Sequence, residues 1–101
     1  MKMVSINESM RFRKKDGVEM QKIDNDYILF LHDKNKIVNL NSSASFIWSM
    51  ILDNSSFKMI ERCFIHQYSN GDDNMVAALK HDVTNTVLLL LEAGAIELVS
   101  E

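Results

Sequence analysis

With 101 residues, 47% of them apolar and 25% charged, the chain has the make-up of one ordinary globular domain, long enough for a core without disulfide or metal staples. No stretch approaches the roughly 20 apolar residues of a membrane-spanning helix, residues 1–12 lack the apolar core of a signal peptide, and the single cysteine, Cys63, excludes an internal disulfide, so the expected compartment is the cytoplasm. Residues 1–36 hold 8 Lys/Arg against 6 Asp/Glu and residues 37–101 hold 3 against 8, which makes the second part acidic where a nucleic-acid reader concentrates its cations.

Met1 to Met10 shows no hydrophobic period and is expected to fray or to lie along the surface. Arg11-Phe12-Arg13-Lys14-Lys15 is the basic run, and a solvated entry to the first strand accounts for it more simply than a dedicated anion site. Asp16-Gly17 signals a turn, because glycine takes positive φ at no steric cost. Val18 to Ile23 then reads as a short strand with Val18 and Met20 on one face. After the turn chemistry of Asp24-Asn25-Asp26, Tyr27 to His32 is apolar on both faces, as in a central strand covered on both sides. Asp33-Lys34-Asn35 is another polar turn. Lys36 to Leu40 follows as an edge strand, with Val38 and Leu40 on one face and Lys36, Ile37 and Asn39 more open. Turns this short make neighbours antiparallel, so the three strands form a meander.

Asn41, Ser42 and Ser43 offer side-chain oxygens where a helix start leaves N–H groups unpaired. Ala44, Ile47, Trp48 and Ile51 then recur at the spacing of one helix face, which predicts a helix over about Ser42–Leu52 with Trp48 lying over the sheet. Asp53 to Ser56 is a capping loop for a second helix, Phe57–Tyr68, whose Phe57, Ile60, Phe64 and Tyr68 fall at three- and four-residue steps. Trp48, Ile60, Phe64 and Tyr68 are assigned to the core. Asn70-Gly71 would mark a hairpin between strands, but helical periodicity on both sides makes it an inter-helix turn. A third helix is expected over Asp73–Ala93, with Asp72 and Asp73 at its positive end and Gly94 as its C-terminal cap. Val76, Leu79, Val83, Val87 and Leu90 form its core stripe, with His81, Thr84, Asn85 and Glu92 opposite. A shoulder of Met75, Ala78, Asp82, Thr86 and Leu89 is more apolar than a solvated flank needs. Ala95 to Val99 reads as an extended tail. The expected class is α+β, organised as an N-terminal arm (1–17), a main domain (18–96) and a C-terminal tail (97–101).

Residues fit for chemistry do not assemble. Cys63 and His66 stand three apart on one helix, but two ligands do not close a zinc site and His32 and His81 form no second pair. No Ser or Cys has a base and an orienting partner at a suggestive spacing. Gly17, Gly71 and Gly94 are too scattered for a phosphate loop. Neither a metal, a cofactor nor an enzymatic activity is expected.

The pattern Val38-x-Leu40-Asn41-x-Ser43-Ala44-x-x-Ile47-Trp48, then Ile60-x-x-x-Phe64-x-x-x-Tyr68, then Asp82-Val83 and Leu90 before Gly94, resembles the PqqD family. These are small domains that recognise the leader peptides of ribosomally synthesised, modified peptides. The likeness runs from about Val18 to Ile96. The chain departs from the family at Ser43-Ala44, where Thr-Gly is usual, and at Thr86, where an aromatic or large apolar residue is usual. The resemblance implies a winged helix-turn-helix-like fold of three antiparallel strands and three helices. It also implies that a leader peptide adds as a further antiparallel strand on the third strand, in the cleft beside the third helix. There it is presented to a maturation enzyme such as a protease, a cyclase or a radical enzyme. The chain looks like a free-standing member, with a lasso-peptide or other peptide pathway expected ahead of quinone-cofactor synthesis.

The residues themselves agree with that expectation. An unpaired strand edge is a template for strand addition, and the helical shoulder supplies a wall. The expected leader contacts are Lys36, Ile37, Val38, Asn39 and Leu40 on the edge, with Met75, Ala78, Asp82, Thr86 and Leu89 on the shoulder; the basic run is expected to attract an acidic leader. Two other classes share these features. One is a winged-helix nucleic-acid binder, disfavoured because the third helix offers Lys80 and His81 against Asp72, Asp73, Asp82 and Glu92. The other is a homodimer joined through the open edge.

Overall fold

A computed structural model describes residues 6–24 and 26–99; residues 1–5, Asn25 and residues 100–101, which include parts of the expected arm, second turn and tail, lie outside the described residues. Phe12 marks the first departure from expectation. The basic run is not a solvated lead-in but a strand, β1 (Arg11–Lys14), in which Phe12 is wholly buried. Strand alternation turns Phe12 inward and leaves Arg11 and Arg13 outside. The cations are also engaged within the chain. Arg11 donates from Nη1 to the Asn54 carbonyl at 3.1 Å, Arg13 pairs with Glu97, and the Lys14 ammonium sits 4.6 Å from the centroid of the Trp48 ring.

The meander forms as read. β2 (Val18–Ile23), β3 (Asp26–Leu31) and β4 (Lys36–Leu40) lie side by side and antiparallel, with Met20 opposite Leu29 and Leu29 opposite Val38. His32–Lys34 makes a single 3₁₀ turn, and Asn35 closes it in the left-handed region at φ 49°, a conformation that asparagine tolerates better than most residues. The inner face of the sheet carries Leu29, Leu31 and Leu40, all buried. Glu19, Phe30 and Ile37 share the outer face.

Helix α1 (Ser42–Met50) begins one residue beyond β4, since the Asn41 side chain accepts the Ala44 N–H at 2.9 Å. Asn41 is therefore the cap, and the Ser43 hydroxyl donates to the same Asn41 oxygen at 3.1 Å. The helix stops at Met50, short of the expected Leu52. A two-residue strand, β5 (Ser55–Ser56), leads into α2 (Phe57–Ser69), which the Ser56 hydroxyl caps by accepting from the Met59 N–H. A 3₁₀ turn at Asp73–Met75 precedes α3 (Val76–Ala93), so the third helix starts later than its acidic entry suggested. Gly94, at φ 82°, ends α3, with the Ala95 N–H reaching back to the Leu90 carbonyl at 3.0 Å. The extended tail is β6 (Ile96–Leu98), which pairs with β1; β5 pairs with the other edge of β1, giving a second small sheet in the order β5-β1-β6.

The helices bury their apolar stripes between the two sheets. Trp48, Ile47 and Ile51 of the first helical segment meet Ile60 and Phe64 of α2 and Val83, Val87 and Leu90 of α3 in one core that also takes in Phe12 and Ile96. Tyr68, expected inside, is half-buried and packs against Phe64 with 4.7 Å between ring centroids and the planes tilted by 39°. Ser45 fastens α1 to the sheet. Its buried hydroxyl accepts the Tyr27 N–H at 2.9 Å and donates to the Leu40 carbonyl at 3.2 Å, bridging β3 and β4 where the edge strand ends. Ahead of β1, the Met10 carbonyl accepts the Phe57 N–H at 2.8 Å, so this segment lies along the start of α2.

Candidate functional site

Strand β4 fixes the site. Among the described residues it pairs with β3 alone, so its other side presents unpaired backbone N–H and C=O groups. Alternation sends Lys36, Val38 and Leu40 toward the helices and Ile37 and Asn39 outward; Ile37 is 60% exposed, whereas Leu40 is buried.

Beside the last residues of β4 lies a cleft of about 450 Å³, walled on one side by Asn39, Leu40, Asn41, Ser43 and Ala44 and on the other by Asp82, Asn85, Thr86 and Leu89 of α3. The strand-to-helix junction supplies one wall because Asn41 starts α1 at once, with no loop to fill the space. The other wall follows from the period of α3: with Val83, Val87 and Leu90 buried, Asp82, Thr86 and Leu89 fall on the adjoining face. Leu89 is 51% exposed there, an apolar surface with no covering side chain. A second hollow, about 520 Å³, meets the cleft at Asn39–Asn41 and continues past Ile23, Asp24, Asp26, Tyr27 and Ile28. A third, about 220 Å³, lies at the start of β4 between Phe30, Leu31, His32, Asn35, Lys36 and Ile37.

Of the residues expected to contact a leader, Asn39, Leu40, Asp82, Thr86 and Leu89 come together in the cleft. Lys36 and Ile37 flank the hollow at the opposite end of the strand, and Val38 stands between, half-buried against the core. Met75 and Ala78 are exposed but do not line the cleft: Met75 belongs to the 3₁₀ turn and Ala78 lies one helical turn before Asp82. Four lining residues were not anticipated. Local pattern makes Asn41 and Ser43 a helix start and puts Ala44 on the apolar helix face, although a cap that follows an edge strand directly must border the same space. Asn85, placed on the polar side, reaches the rim and also bonds His81 across one turn at 2.9 Å.

Elsewhere, Cys63 is half-buried and His66 is exposed on α2, and the described residues hold no group of three or more potential metal ligands. No helix in the described residues is long and apolar enough to cross a membrane.

No family model matches the chain, and no curated protein sequence does. A solved structure does: TbiB1 in complex with the TbiA(beta) leader peptide superposes with a TM-score of 0.73 at 18% identity, over 88% of this chain and 99% of that one. At that identity the likeness establishes a shared fold, an α+β arrangement of an antiparallel three-stranded sheet followed by helices.

Proposed function

We propose that this chain is a leader-peptide recognition domain of the PqqD type. It holds the leader of a ribosomally synthesised precursor as an added strand on β4 and presents it to a maturation enzyme, without catalysis of its own. The observation that carries this reading is the unpaired edge of β4 beside a cleft whose far wall is the exposed flank of α3. The shared fold with TbiB1, a protein solved with a leader peptide, supports it. So does the resemblance of Leu40-Asn41, Ile47-Trp48 and Asp82-Val83 to the family pattern.

The energetics favour a cleft over a bare edge. Four backbone hydrogen bonds at about 1 kcal/mol net each and two apolar anchors at roughly 2 kcal/mol each leave, after an association cost of at least about 4 kcal/mol, no more than about 4 kcal/mol, a millimolar affinity. Useful affinity therefore needs several side chains seated beside the strand, and Leu89, Thr86 and the adjoining hollow offer that room.

The test is a titration followed by amide NMR. The leader of the cognate precursor peptide is expected to bind saturably and to shift amides of residues 36–41 and 82–89, whereas duplex DNA at moderate salt leaves the spectrum unchanged. Shifts confined to other surfaces, or saturable DNA binding through α3, would remove the proposal.

A further inference from the structure

The two ends of the β4 edge carry opposite charge. At the Leu40 end the cleft includes the carboxylate of Asp82, and the hollow that joins it at Asn39–Asn41 brings Asp24 and Asp26 to the same end. At the other end stand Lys36 and Lys34; of the carboxylates there, Asp33 lies toward Gly17, its Oδ1 3.7 Å from the point where a Cβ would sit, and Glu19 is paired with His32 on the outer face. Lys34 shows how the helix runs: its ammonium lies 2.7 Å from the point where a Cβ on Gly94 would sit. The C-terminus of α3 is thus at the Lys36 end of the strand, while Asp82, three turns earlier, is at the Leu40 end. Asp82 and Lys36 are both exposed, and among the described residues neither is in an ion pair; the pairs found are Arg13 with Glu97 and His32 with Glu19. Lys22, the remaining cation of the meander, lies on the distant strand β2 and faces Tyr27, Ser42 and Phe46 instead.

Such a distribution reads the direction of a guest strand. An antiparallel guest is favoured, since antiparallel ladders are the more stable per residue and β3 already pairs with β4 that way. Its N-terminal end then falls opposite Leu40 and its C-terminal end opposite Lys36. Lys36, Val38 and Leu40 point to one face, so the guest residues opposite them stand at alternate positions on one face and span about 13 Å. We infer that this edge selects extended peptides carrying Lys or Arg four positions before Asp or Glu, with an apolar residue midway. The basic residue meets Asp82, the apolar one sits opposite Val38, and the acidic one meets Lys36. This inference rests on the strand-addition reading and adds to it a polarity and a sequence pattern.

The experiment uses the full chain as bait for an mRNA-displayed library of randomised 12-residue peptides at low salt. Enriched peptides are expected to share the basic–apolar–acidic order at that spacing. A selected peptide with its two charges transposed is expected to bind about tenfold more weakly in fluorescence anisotropy, because two favourable charge pairs, one with Asp82 of α3 and one across the strands with Lys36, become two unfavourable ones. The gap should close as salt rises. The double variant Asp82→Lys with Lys36→Glu alters two exposed positions and should prefer the transposed peptide. Binders that lack the charge order, show it acid-first, or ignore transposition overturn the inference and leave strand addition standing. A library that yields no binder overturns both.

Discussion

Ser45 occupies a position where one hydroxyl does the work of a ladder hydrogen bond. The Tyr27 N–H and the Leu40 carbonyl both terminate on it, and it is 3% exposed, so water does not replace it. Ser45→Ala leaves a part-buried donor and an acceptor without partners, at a cost of about 1–3 kcal/mol. The loss should appear as a lower urea midpoint and as faster amide exchange at Tyr27, whose N–H loses its acceptor; an unchanged midpoint would mean that water reaches the gap. Lys14 makes a second prediction. Burial against Trp48 pulls its pKa below the ordinary lysine value, and Asp53 opposes the shift. Below the folded-state pKa the ammonium is charged in both states and its desolvation cost is fully present. As pH rises through that value toward about 10.4, the native state releases the proton first and the cost is relieved, so stability rises on the alkaline side. Lys14→Met should flatten that slope relative to the parent in urea titrations run from pH 7 to 10. Parallel slopes would show the ammonium to be better solvated than its surroundings suggest.

Among the elements, β4 carries the sharpest consequence. Proline at residue 38 removes a backbone donor from a five-residue strand and fixes its φ near −65°. Val38→Pro should abolish leader binding, at least a hundredfold by roughly 3 kcal/mol, while circular dichroism shows whether the helices persist. A folded Val38→Pro chain with parental affinity would put the peptide elsewhere. That β4 is an edge strand was readable from the residues, because polar turns at Asp24–Asp26 and Asp33–Asn35 punctuate three apolar runs at close spacing. The wall of the cleft was half readable. Helical period assigns Met75, Ala78, Asp82, Thr86 and Leu89 to one flank, but a period fixes the face of a helix and not how far along it a neighbour extends. The cleft takes up Asp82, Thr86 and Leu89 and ends there. Strand β1 escaped for a different reason. Arg11-Phe12-Arg13-Lys14 has one apolar residue, its partners lie about 45 and 85 positions away, and its cations are satisfied by Asn54, Glu97 and Trp48, none of which local pattern connects to it.

In the molecule taken entire, the small sheet clamps the two ends of the described chain against the helical core, and Phe12 is its buried anchor. Phe12 shares the core with Trp48, Phe57 and Ile96, and it sits between Ser55 of β5 on one side and Leu98 of β6 on the other. The residues before Val18 thus contribute to the body of the fold as well as leading into it. Truncating a buried Phe to Ala costs about 3–5 kcal/mol, against a total stability of about 5–15 kcal/mol for a domain of this size. Phe12→Ala should therefore lower the urea midpoint by about a fifth or more, while Arg13→Ala, which breaks an exposed pair with Glu97, should cost under about 1 kcal/mol. Because the meander and α3 form the site without β1, a Phe12→Ala chain that stays folded should keep its affinity for the leader. Its stability should then recover as leader is added, since a ligand that binds only the native state raises stability by mass action. A variant that loses stability and affinity in equal measure would instead place β1 in the peptide's path and make the small sheet a part of the recognition surface.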